Sequence, residues 1–126
     1  MLSTASALLA LFDGDRARDW SPPGHPIRPE QEIRDVMRKF RDYGIEFHVL
    51  DRYAIENYFP QAAYEKVMGD GVSKYFPLDP ARSVESQIPG YDKDFNGALA
   101  EATELTDLAG TDLERVLDNS RRRLLD

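Results

Sequence analysis

Two aspartates separated by one glycine, Asp13-Gly14-Asp15, close an apolar run that begins near Ala7. Positions i and i+2 on an extended backbone face the same way, so both carboxylates can reach one cation. A third acid, Glu56, stands in the segment Arg52-Tyr53-Ala54-Ile55-Glu56-Asn57-Tyr58-Phe59. Hard oxygen ligands of this kind suit Mg2+ or Mn2+. A pair of such ions clamps the attacking and leaving oxygens of a phosphodiester. Like charges brought this close repel, so without a cation at least one carboxyl should hold a proton. A plainer reading stands beside this one. Asp and Gly are turn formers, Glu56 also suits the first turn of a helix, and Asn57 suits a cap.

The elements that position these acids follow from periodicity. Ala7 to Phe12 is almost continuously apolar, as in a strand buried on both faces of a mainly parallel sheet. Open α/β sheets place ligands at the carboxyl ends of their strands, where Asp13 and Asp15 would lie. Gly14 lets the chain turn between them without an obstructing side chain. The segment from Arg16 to Pro29 is rich in Pro, Gly and Arg and reads as a loop on that edge. Arg16, Arg18 and Trp20 offer nucleic acid charge and stacking; the competing expectation is a surface loop with Trp20 against the core. Pro29 to Tyr43 reads as a helix stopped by Gly44, with Ile33, Val36, Met37, Phe40 and Tyr43 on one face. Its other face, Arg34, Arg38, Lys39 and Arg41, reads as solvated charge. Ile45 to Leu50 alternates as a strand. Strand, helix and strand form a right-handed parallel crossover, which brings Asp51 to Glu56 to the same edge as Asp13 and Asp15.

Pro60 to Met68 reads as a short helix stopped by Gly69, and residues 70–96 as a long irregular segment. Helices are expected over Asp94 to Thr103, which carries Phe95, Ala98, Leu99 and Ala102, and in a single turn through Leu108 capped by Thr106. The last runs from Thr111 to Leu124, with a Thr111–Glu114 capping box and Leu113, Val116, Leu117 and Leu124 toward the core. His48 is expected to be structural and His25 a loop residue. Tyr53, Tyr58 and Phe59 are expected to pack. Arg52 either pairs with one of the acids or meets substrate, and Asp51 is a further outer acid. Arg121, Arg122 and Arg123 complement a helix carboxyl terminus.

The 126 residues suit one α/β domain. A net charge of −7 argues against a surface built for non-specific nucleic-acid binding, although a bound divalent ion changes the local sign. With no cysteine there is no disulfide, thiolate metal site or cysteine nucleophile. No apolar run reaches membrane-spanning length, and a cytoplasmic protein without membrane partners is expected.

FDGDR at 12–16, followed by HVLDRYAIENYF at 48–59, resembles the C-terminal half of the Toprim domain. The nearest type is that of OLD (overcoming lysogenisation defect) ATP-dependent nucleases and related phage-defence ATPases. The resemblance extends over most of the chain, through GYDKDFNGALAEA at 90–102 and GTDLERVLDNSRRRL at 110–124. It implies a Toprim-like, Rossmann-like partial parallel sheet with flanking helices. It implies Mg2+ or Mn2+ held by Asp13, Asp15 and Glu56, and a lysine on the scissile phosphate, best matched by Lys93 and next by Lys74. DNA is the implied substrate, with an ATPase or a second copy of the chain as partner. A whole domain of this type starts with a strand ending in glutamate. The resemblance therefore implies a chain incomplete at its N-terminus or completed by a partner. Two other functions remain open. One is a non-catalytic Toprim-like module docking on an ATPase. The other is a Mg2+-dependent phosphatase of the haloacid-dehalogenase type, with Asp13 as nucleophile; that type expects Thr or Val where this chain has Ala17.

Overall fold

The computed structural model describes residues 9–125, with side chains as far as Arg121. Ala7, the start of the expected first strand, and the side chains of Arg122, Arg123 and Leu124 lie outside the described residues. The chain is a small α/β protein. Strand β1 (Leu9–Phe12) pairs in parallel with β2 (Glu46–Val49), Leu9 opposite Glu46 and Phe12 opposite Val49. The amide of Leu50 donates to the Phe12 carbonyl at 2.9 Å and carries the ladder one step beyond the strands. Helix α1 (Gln31–Asp42) makes the crossover between them.

Helix α1 starts two residues later than the sequence suggests: Pro29 lies before the first turn, and Glu30 is the extended N-cap. Gly44 ends it at φ 72°, a conformation that costs glycine nothing. Its apolar face is narrower than expected. Met37 is buried, and Ile33 packs with Phe12 and Phe47 around Ala17, Met37 and Val49. The Phe40 ring sits 5.7 Å from Phe12. Tyr43, in contrast, is 78% exposed, since it is already the C-cap and has left the helical face.

Strand β1 is not buried on both faces among the described residues: Leu11 is 40% exposed. The sheet described has two strands, and the largest core lies away from it. That core gathers Tyr64 of α2 (Gln61–Met68), Leu99 of α3 (Asn96–Glu101), and Val72, Val84, Ile88 and Tyr91 from the stretch read as irregular. The stretch opens with a 3-10 helix, Asp70–Tyr75, and its scattered apolar residues are core anchors. Gly69 ends α2 at φ 96°. Asn57 ties the same stretch down: its amide donates to the carbonyls of Arg82 at 2.8 Å and Asp79 at 3.4 Å, while its Oδ1 accepts from Ala54 N.

The C-terminal expectations shift in detail. A 3-10 turn, Lys93–Phe95, precedes α3, and Ala98 faces outward. Glu104, not Thr106, caps the turn Leu105–Leu108, its amide donating to Asp107. Helix α4 (Asp112–Leu125) is capped by Thr111, whose Oγ1 accepts from Glu114 N; the Glu114 carboxylate reaches Gly110 N instead of closing the box on Thr111. Leu113 is buried with Leu50, Tyr58 and Leu108, whereas Leu117 is 38% exposed. No helix among the described residues is long and apolar enough to cross a membrane.

Candidate functional site

Asp13 and Asp15 follow β1 directly, and Glu56 lies in the 3-10 turn Ile55–Tyr58 beyond β2. Parallel pairing places both strand ends on one edge, and a hydrogen bond joins them: Ile55 N donates to Asp13 Oδ1 at 3.0 Å. A cavity of about 250 Å3 opens there, lined by Asp13, Asp15 and Glu56, and also by Lys93 from the 3-10 turn before α3. Tyr53, Ser83, Glu85 and Tyr91 complete most of its wall. Lys74, the second candidate lysine, is not in that wall; its ammonium lies 5.3 Å from the Tyr75 ring.

Each carboxylate has one oxygen engaged by the protein. Asp13 Oδ1 accepts from Ile55 N, Asp15 Oδ1 from Arg16 N at 2.7 Å, and Glu56 Oε1 from the Asn96 side-chain amide at 2.8 Å. Glu56 is 6% exposed and is held from behind by Tyr64, whose hydroxyl donates to its backbone carbonyl at 2.7 Å. Burial pushes the Asp13 carboxyl above its ordinary range; the Ile55 amide opposes this, Glu56 and Asp15 add to it, and Lys93 opposes it. Burial, and then the charge of Glu56, raise the Tyr91 hydroxyl, which stays protonated.

The donor set suits a hard divalent cation in kind: three carboxylates, each with a second oxygen outside the hydrogen bonds just named. Among the described residues no three acidic or imidazole groups are already drawn into a coordination sphere. A cation would have to gather them, and would offset the burial and the lesser repulsion from Glu56 and Asp15 that raise Asp13.

Gly14 has a tighter role than turning. A Cβ built on it would lie 2.4 Å from the Arg52 carbonyl oxygen and 2.7 Å from Trp20 Cζ2. Trp20 Nε1 donates to the Gly14 carbonyl at 2.9 Å, and its ring packs against Tyr53 and His25. Because one of the obstacles is backbone, Gly14→Ala should cost about 2 kcal/mol through overpacking. Thermal melting checks this; an unchanged Tm would contradict it.

Several sequence candidates have other duties. Arg18, with a side chain 13% exposed, ties the loop to the end of β2: it donates to the carbonyls of Leu50, His25 and Val49 and pairs with Asp51. Asp51 is thereby occupied and is not in the cavity wall. Arg16 pairs with Glu30 and Glu32. Arg52 meets neither the three acids nor the cavity; it donates to the Asn57 carbonyl and lies over the Tyr58 ring. Ala17 is buried against Met37 and Val49. Glu85 and Tyr91 in the cavity wall, and Asn96 behind Glu56, carry no signal in the sequence, since no spacing links them to the aspartates. Compared with known proteins, the chain matches no family model, no curated protein and no solved structure.

Proposed function

We propose that this chain is a Toprim-like nuclease half-domain that hydrolyses DNA phosphodiesters with Mg2+ or Mn2+, working with an ATPase partner or a second copy of itself. The observation that carries the reading is the meeting of Asp13, Asp15, Glu56 and Lys93, from three well-separated stretches of chain, around one cavity at the carboxyl edge of the parallel pair. The resemblance of FDGDR and RYAIENYF to the OLD nucleases supports the same roles. When bound, the cation would polarise the phosphoryl oxygen and lower the pKa of a water. Asp13, Asp15 and Glu56 would hold it. Lys93, exposed at the rim, would neutralise charge on the scissile phosphate.

Calorimetric titration with MnCl2 tests the site. The wild-type chain should bind, and Asp15→Asn, which keeps the acceptor for Arg16 N, should lose at least about tenfold in affinity. Equal affinities would overturn the reading. Nicking of supercoiled plasmid in Mn2+ tests the substrate. A second reading, a non-catalytic module docking on an ATPase, draws on the exposure of Leu11 on the sheet. A chain that neither binds Mn2+ nor nicks DNA would favour that module.

A further inference from the structure

The Glu56 carboxylate does not face the cavity freely. Asn96 Nδ2 donates to its Oε1 at 2.8 Å, and Tyr91 Oη donates to Asn96 Oδ1 at 2.5 Å. The order of this chain is fixed by chemistry. An ionised carboxylate only accepts, so the amide must turn its NH2 to Glu56 and its oxygen to Tyr91. The phenol, in turn, must donate. Tyr91 packs in the main core with Tyr64, Val84, Ile88 and Leu99, which holds the side chain that carries the hydroxyl. The consequence is that one Glu56 oxygen is already accepting from Asn96, which disfavours its use as a second ligand, while the other is open. Asp13 and Asp15 are in the same position, each giving Oδ1 to a backbone amide.

Ligand count separates the hard cations. Ca2+ takes about 6–8 oxygens and readily accepts both oxygens of a carboxylate; Mg2+ demands a near-octahedral set, keeps waters, and takes carboxylates through one oxygen. We infer that Asn96 is a specificity-determining positioning residue: with Tyr91 behind it, it holds Glu56 to a single ligating oxygen and so biases the site toward Mg2+ or Mn2+ and against Ca2+. Of the three clamps, this is the one made by a side chain, and therefore the one that substitution can remove. The inference rests on the cation site proposed above and deepens it.

The test compares MgCl2, MnCl2 and CaCl2 by calorimetry on the purified chain, with no activity readout required. The Mg2+-to-Ca2+ affinity ratio should fall about tenfold in Asn96→Leu, which fills similar space without the donor. Tyr91→Phe, which leaves Asn96 free to rotate, should move the ratio the same way by a smaller factor. Should Asn96→Leu fail to fold, as judged by circular dichroism, Tyr91→Phe alone carries the comparison. A ratio unchanged in the folded variants overturns this inference and leaves the cation site intact. Absence of binding to the wild-type chain overturns both.

Discussion

Asp112→Ala is expected to destabilise the fold by about 3 kcal/mol, enough to lower Tm on the order of 10 °C in a domain of this size. The Asp112 carboxylate is 5% exposed and accepts three hydrogen bonds: from Tyr58 Oη at 2.6 Å, from His48 Nε2 at 2.7 Å and from Asp51 N at 3.0 Å. It thereby joins the first turn of α4 to β2 and to the start of the loop that carries Glu56. Truncation leaves three donors facing a buried gap, and an unmade buried hydrogen bond costs more than a made one contributes. The pH dependence has a definite sign. Burial alone would raise the Asp112 carboxyl, but the bonds from His48, Tyr58 and Asp51 outweigh it and hold it below its ordinary value. A depressed acid adds stability above its unfolded pKa of about 4 and loses it as pH falls through the folded value. Urea titrations from pH 7 down to pH 2 should therefore show a steeper acid loss for the wild type than for Asp112→Ala. Parallel curves would contradict the assignment.

That network shows which parts of the fold were legible in the sequence. Asp112 reads as an ordinary first-turn acid, and its partners sit 54 and 64 positions away in the chain. No local pattern encodes such a meeting. The strand–helix–strand unit was legible because its residues repeat with the periods of strand and helix, and because Gly44 and Gly69 mark stops that only their backbone conformations require. Burial was less legible. Periodicity says which face of an element is apolar, not whether anything covers it, and Leu11 and Leu117 remain partly open. The converse holds between residues 76 and 92, where Val84, Ile88 and Tyr91 form core although no regular helix or strand carries them. For the site, Asp13, Asp15 and Glu56 could be found because parallel strands must end on one edge. Lys93 entered through the family resemblance, and Asn96 and Glu85 had no signal at all. Arg18 reads as loop charge, but in the fold its guanidinium is spent on carbonyls at the end of β2.

Asp13→Asn should have opposite effects on stability and on cation binding. The substitution keeps an Oδ1 to accept from Ile55 N, so the link between the strand ends survives. It removes a charge that burial and the neighbouring Glu56 and Asp15 disfavour. A carboxyl whose folded pKa is raised is protonated more readily in the native state than in the unfolded one. Its stabilising contribution is complete below the unfolded pKa of about 4 and is lost as pH rises through the folded value. At neutral pH without divalent cations, Asp13→Asn should therefore melt a few degrees above the wild type, and the gap should close below about pH 4, where Asp13 is neutral. Cation reverses the order. A ligand at about a hundred times its Kd stabilises the binding form by roughly 2.7 kcal/mol, and the variant should bind about a hundredfold more weakly. Melting both proteins in EDTA and in increasing MnCl2 should thus give two curves that cross. A variant less stable than wild type in EDTA would show that Asp13 carries no functional strain. Equal stabilisation by Mn2+ would show that Asp13 is not a ligand. Only a carboxylate kept at a cost to the fold for the sake of a cation gives the crossing.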